Sequence, residues 1–243
     1  MLEVRHFTRR FGDKVAVDDL SFTVAPGRIV GFIGHNRAGK TTTLRAAAGI
    51  LDFHEGSITV AGHDIRTDAV AAKRAAAFLP DNPDLYDFMS GLEFLGFVAD
   101  IHGIPAARRR ELVTRYADAY GLTADLGGAV GSYSHGMKQK LALISAFLRE
   151  PRLLMLDEPF VGLDPLAAHT LKGHLRALCD SGGAVLFSTH VLEVAQALCD
   201  DVVIIKRGRL VVAGPTASVT GDSSLEDVFL DLAADTPAAE AAR

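Results

Sequence analysis

The run Gly34-His35-Asn36-Arg37-Ala38-Gly39-Lys40-Thr41 fits the pattern G-x-x-x-x-G-K-[ST], and Thr42 follows it. A short apolar run at 28–34 leads into it and reads as a buried strand, while residues 39 to about 49 read as a helix stopped by glycine. In that setting, backbone N–H groups of the loop and helix start point at phosphate oxygens, and the helix dipole favours their charge. Lys40 brings a point charge to the β and γ phosphates, and the Thr41 hydroxyl completes a magnesium shell. A chance glycine-rich turn is the alternative. It loses because strand, loop, Lys and Thr all occur in order.

A second chemical group follows far downstream. Leu153-Leu154-Met155-Leu156-Asp157-Glu158 is an apolar strand ending in two carboxylates. Asp157 is placed to hold Mg²⁺ through water, and Glu158 to polarise an attacking water. Taken alone, such a pair is commonly an exposed acidic turn. The phosphate loop upstream favours the chemical reading.

The elements that must position these groups follow from periodicity. The opening third reads as β-rich, with strands at 17–24, 28–34 and 56–61. From 90 to about 150 the helical period dominates, in three segments near 92–101, 108–120 and 135–149. After Pro151 strands and helices alternate again: strands at 153–156 and 184–188, helices at 165–179 and 191–198. A hairpin of 202–205 with 210–213 turns at Arg207-Gly208. This order predicts an α/β fold with a mixed, mostly parallel sheet, an N-terminal antiparallel β region and an inserted helical subdomain. The expected organisation is one domain at 1–235, with an α/β core at 1–84 and 151–235, helices at 85–150 and a disordered tail at 236–243.

Composition narrows the function classes. The 243 residues are 49% hydrophobic and 23% charged, as a globular chain with a sizeable core requires. A net charge of -5 supplies no global basic field, so no nucleic-acid partner is expected. The start MLEVRHFTRRF puts charges where a signal peptide needs an apolar stretch, and no apolar run approaches the roughly 20 residues that span a bilayer. Work at a membrane would therefore go through a partner. Cys179 and Cys199 sit in no metal or redox spacing, both on predicted helices, and read as free buried thiols.

The stretch Tyr133-Ser134-His135-Gly136-Met137-Lys138-Gln139-Lys140 lies just before the acidic strand. With it the chain resembles, over nearly its whole length, the nucleotide-binding subunits of ABC transporters, whose signature loop is usually LSGGQ. Ser134 and Gly136 are retained, His135 stands for the first glycine and Met137 for the glutamine. The resemblance implies an ATPase that binds ATP and Mg²⁺, with Ser134 and Gly136 facing the γ phosphate held by the opposite subunit. It also implies a head-to-tail dimer with a second copy or a related ATPase subunit. A separate transmembrane permease would be the partner, docked on the helices of 85–149, with the chain peripheral on the cytoplasmic face of the membrane. Export is preferred over import, because Ser224-Leu225-Glu226-Asp227-Val228-Phe229-Leu230 resembles the end of small exporter-type subunits. Gly162-Leu163-Asp164 resembles the interface D-loop, His190 the switch histidine that orients the water, and Phe11 the aromatic that stacks on adenine.

The chain departs from the family pattern at two further positions. Arg37 stands where the phosphate loop usually has Gly, at a backbone position often of positive φ, a strain of roughly 1–2 kcal/mol. Its side chain either points to solvent or reaches the γ phosphate or facing subunit and tunes turnover. Asp81, after Phe78-Leu79-Pro80, stands where the family has the Q-loop Gln; an oxygen donor there can still join the magnesium shell. Two rivals share much of this pattern: a soluble ATPase of the same type acting in translation or DNA repair, and a regulatory nucleotide binder that barely hydrolyses. The first usually joins two cassettes or carries long coiled-coil arms, and Glu158 and His190 argue against the second.

Overall fold

The apolar runs before each chemical group become adjacent strands. A computed structural model describes residues 1–234, so the tail expected at 236–243 lies outside the described residues. In chain order the first half comprises β1 (Leu2–Phe11), β2 (Lys14–Val24), β3 (Ile29–Ile33), α1 (Lys40–Ala47), β4 (Glu55–Val60), β5 (His63–Asp64), α2 (Ala69–Ala75) and β6 (Ala76–Leu79). Helices α3 (Gly91–Ile101), α4 (Ala106–Ala119) and α5 (His135–Leu148) follow. The remainder is β7 (Leu153–Asp157), α6 (Pro165–Asp180), β8 (Ala184–Thr189), α7 (Leu192–Leu198), β9 (Asp201–Lys206), β10 (Arg209–Pro215), α8 (Thr216–Thr220) and α9 (Leu225–Ala234).

Two sheets form. The N-terminal sheet is antiparallel in the order β2-β1-β4-β5, and the other runs β10-β9-β3-β8-β7-β6. Within the second, only β10 is antiparallel to its neighbour, which gives the mixed, mostly parallel sheet expected. Strands β3, β7 and β8 are buried at every position, as strands covered on both faces must be. Alternate side chains therefore enter different cores. Ile29, Leu154, Leu156 and Phe187 join a core with α3 to α6, while Phe32, Leu153, Met155 and Leu186 join one with α1 and the antiparallel sheet. Burying each such side chain stabilises the fold by roughly 1.5–3 kcal/mol. The core under α3 to α5 is continuous with that of the sheet: Leu95, Leu112 and Leu141 pack in the same cluster as Leu154.

Some elements differ from expectation. Strand β1 carries no clean period-2 pattern, since its alternation breaks where His6 takes φ +49 and the register shifts. Helix α2 and strand β6 were also unassigned. Cys199, expected on a helix, follows the end of α7 in extended backbone, because its N–H closes the last turn on Ala195 before β9 begins. Both cysteines are free and buried, and burial pushes the Cys179 thiol up to about 11.

Candidate nucleotide-binding site

The cleft is built at the ends of β3, β7 and β8, where three buried strands deliver polar residues side by side. From β3 the chain makes the loop of residues 34–39 and enters α1 at Lys40. Gly39 takes φ +110, and a Cβ there would lie 2.8 Å from the Ala16 carbonyl oxygen, so only glycine lets the loop close against β2. Lys40 is buried, and its Nζ donates to the Gly34 carbonyl at 2.6 Å and the His35 carbonyl at 3.4 Å. Burial holds its ammonium below the ordinary lysine range, with Glu158 and Asp157 acting in the opposite sense.

The acidic end of β7 lies directly opposite. Asp157 pairs in register with Ser188 of β8. Its Oδ2 accepts from the Thr41 hydroxyl at 2.7 Å, and its Oδ1 accepts from the Ser188 hydroxyl. Ser188 Oγ in turn accepts from the Glu158 N–H at 3.0 Å. Glu158 itself sits at φ +50, in the left-handed region that costs a non-glycine residue roughly 1–2 kcal/mol. That backbone brings its carboxylate back over the loop, 3.8 Å from Lys40 Nζ, while Oε2 lies 3.0 Å from His190 Nδ1. The His190 N–H also donates to Oε2, at 3.3 Å. The loop lysine, the acidic pair and His190 are thus one connected network.

Phe11, His35, Asn36, Arg37, Ala38, Gly39, Lys40, Thr41, Thr42, Asp81, Asp157 and Glu158 line one cleft of about 470 Å³. Phe11 ends β1 half exposed, with the Arg9 guanidinium 4.6 Å from its ring centroid. Burial raises the Asp81 carboxyl above its usual range, and the Asp157 and Glu158 carboxylates add to this. Arg37 takes φ +69, as the family pattern implied, and its exposed side chain makes no hydrogen bond or ion pair with any described residue. It is exposed at the cleft it lines. Arg37→Gly is therefore expected to raise stability by about 1 kcal/mol, read from the unfolding midpoint, with kcat and KM unchanged; altered kinetics would restore the tuning role.

Ser134, Gly136 and Asp164 do not line this cleft. Ser134 caps α5, accepting from the Met137 N–H at 3.2 Å, and Asp164 caps α6, accepting from the Ala167 N–H at 2.8 Å. The two helix starts are joined: Lys140 Nζ lies 2.6 Å from Asp164 Oδ2, and the His135 ring fills the space beside Gly162. A Cβ at Gly162, which takes φ +79, would lie 2.5 Å from that ring. The segments 134–136 and 162–164 are thus set as one unit, separate from the protomer's own cleft.

Lys14, Ala16 and Ser188 were not singled out from the sequence. Lys14 and Ala16 line the cleft because the turn at Gly12-Asp13 pairs Lys14 with Phe11. Ser188 had a usable signal, a hydroxyl at the polar end of a strand two residues before His190. The oxygen donors suit magnesium: a hydroxyl and a carboxylate 2.7 Å apart leave coordination places for phosphate and water, which this cation keeps.

Residues 17–161 match the family model described as ABC transporter. The ABC-type transporter ATP-binding protein EcsA of Bacillus subtilis (strain 168) is 32% identical over 237 residues, which cover 96% of each chain. Nod factor export ATP-binding protein I of Burkholderia pseudomallei (strain 1710b) is 36% identical over 213 residues, 88% of this chain and 70% of that one. A solved structure of an ATP-binding subunit of an ABC transporter matches with a TM-score of 0.92 and 31% identity, covering 96% of this chain and 99% of that one. The chain belongs to the ABC transporter family, as the type of subunit that binds and hydrolyses ATP to energise transport.

Proposed function

We propose that this subunit works as half of a head-to-tail pair that drives export through a separate transmembrane permease. The observation that carries the reading is the continuous network from Thr41 through Asp157 and Ser188 to Glu158 and His190, laid over the phosphate loop. The loop amides and Lys40 bind the β and γ phosphates, and Phe11 stacks on the adenine. Thr41 and Asp157 would hold Mg²⁺, which when bound neutralises charge between those phosphates. Glu158 takes up the proton of the attacking water as general base, and His190 orients that carboxylate and the γ phosphate. Ser134 and Gly136 of a second protomer close the site, excluding bulk water and aligning the attack. Asp164 holds the D-loop at the same interface.

Asp81 stands in the Gln role between cleft and partner. Its carboxyl lies near Asp157 and Glu158, and adding its charge there tunes the hold on the cation. Asp81→Ala should raise the Mg²⁺ concentration needed for half-maximal phosphate release and weaken permease stimulation, both measured as phosphate release against Mg²⁺ concentration. Parental values for both would end that assignment.

The permease docks outside the nucleotide cleft. A groove of about 870 Å³ runs between α1, α2, β6 and the end of α3, lined by Ile50, Val70, Phe78, Ile101, Arg149 and Met155. Ile50, Val70 and Ile101 are 63–64% exposed, and Phe88 beyond them 80%, an apolar surface that favours a partner. Among the described residues no helix is long and apolar enough to cross a membrane, so contact with the inner face of the cell membrane comes through that permease. Export is favoured by the form of residues 224–230 and by the likeness to a relative named for Nod factor export. Co-purification of the tagged chain with an integral membrane protein, and stimulation of its phosphate release by that protein, tests the reading. Isolation with a soluble factor alone would contradict it.

A further inference from the structure

The last described helix ends its path on the phosphate loop. Helix α9 begins at a reciprocal cap, in which Ser224 Oγ accepts from the Asp227 N–H at 3.0 Å and Asp227 Oδ2 accepts from the Ser224 N–H at 3.0 Å. Its first residue, Leu225, is fully buried, and the Leu225 N–H donates to Gln196 Oε1 of α7 at 2.7 Å. Leu225, Phe229 and Leu232 follow at helical spacing, so they share one face. One turn beyond the anchor, the Phe229 ring meets the His35 imidazole with centroids 4.6 Å apart. A turn further, the Leu232 carbonyl accepts from Lys206 Nζ at 2.6 Å.

His35 is not a remote residue. It lines the nucleotide cleft, and its carbonyl accepts from both the Ala38 N–H at 3.0 Å and Lys40 Nζ at 3.4 Å. It also lines a second, small recess together with Phe229, Ile204 and Val211. At the other end of the brace, α7 starts two residues after His190. The helix thus fastens the first turn of the phosphate loop to the helix that follows the switch histidine.

We infer that Phe229 is a positioning residue for ATP, holding His35 so that the loop is preset for the phosphates. This deepens the ATP-site reading and rests on it. An aromatic pair of this kind is worth a modest coupling, which corresponds to roughly 2- to 10-fold in affinity. The effect falls on binding, because the ring touches the loop and neither Glu158 nor the attacking water. Lost preorganisation raises the cost of ordering the loop around the ligand and leaves the chemical step alone.

The test measures ATP dissociation constants by calorimetry with Mg²⁺ on the full chain, together with kcat and KM. Phe229→Ala and Phe229→Leu are each expected to weaken ATP 2- to 10-fold and raise KM equally, with kcat kept. Phe229→Tyr restores parental affinity. His35→Ala weakens ATP by a similar factor, and the His35→Ala/Phe229→Ala pair is no worse than either change alone. Phe229→Leu keeps the helix face apolar, so it reports on the ring even where Phe229→Ala loses the fold. Parental affinity in Phe229→Leu, or effects that multiply in the double variant, would overturn the inference. Parent protein that binds no ATP would instead sink the underlying reading.

Discussion

Glu158→Gln is expected to lower kcat for ATP by roughly 10²- to 10⁴-fold while leaving ATP binding in place, since that is the range a positioned general base supplies. The substitution keeps the size and hydrogen-bonding reach of the side chain but removes its basicity. His190 Nδ1, 3.0 Å from Oε2, can still meet the amide oxygen, and the Ser188 hydroxyl still accepts from the residue 158 N–H. The left-handed backbone at 158 is untouched as well. Phosphate release under multiple turnover measures the loss, and equilibrium ATP binding supplies the control. A Glu158→Gln protein hydrolysing at the parental rate would remove Glu158 from the chemistry.

Lys40→Ala acts on the other half of the function. Lys40 places a buried charge between the loop carbonyls and the Glu158 carboxylate, with its ammonium held by Gly34 and His35. Losing it would remove the cation proposed to meet the phosphates and leave two carbonyls without that donor. Truncating one member of a buried hydrogen-bonded charge pair costs about 2–5 kcal/mol, which predicts ATP binding weaker by roughly 30- to 4,000-fold. Calorimetric titration checks this, with thermal unfolding to confirm that the fold is kept. Lys40→Arg should not rescue, because a planar fork does not fit a cradle shaped for a compact ammonium.

How much of this was legible in the sequence depended on how local the cause was. The phosphate loop and the acidic strand end are written in contiguous residues, and the strand Ile29–Ile33 and helix Lys40–Ala47 flank the loop as periodicity required. The hairpin around Arg207-Gly208 formed between β9 and β10 for the same reason. Where pairing decides, the sequence was silent. Ala69–Ala75 and Ala76–Leu79 form one alanine-rich run, yet the first part is helix and the second strand, because Ala76 to Leu79 pair with Leu153 to Leu156. Strand β1 hid behind Arg5, His6, Arg9 and Arg10, since the irregularity at His6 shifts the inward set from Leu2 and Val4 to Phe7. In the site, residue types announced Lys40, Thr41, Asp157 and Glu158, whereas Ser188 signalled only a hydroxyl at a strand end and joins the network by lying beside Asp157 in register. The contact of Phe229 with His35 joins positions nearly the whole chain apart, and no spacing rule reaches that far.

One proposed picture underlies these tests: a protomer would carry half of each ATP site on two separate surfaces. The cleft holds Lys40, Asp157 and Glu158, while Ser134 and Gly136 sit on a different face, locked to the D-loop through His135 and the Lys140–Asp164 pair. The most direct test is the solution mass of the Glu158→Gln protein by light scattering, with and without ATP and Mg²⁺. The predicted result is a monomer alone and a species of twice that mass with ATP and Mg²⁺, abolished when Ser134 is also replaced by Arg. A Glu158→Gln protein that binds ATP yet stays monomeric would contradict the account.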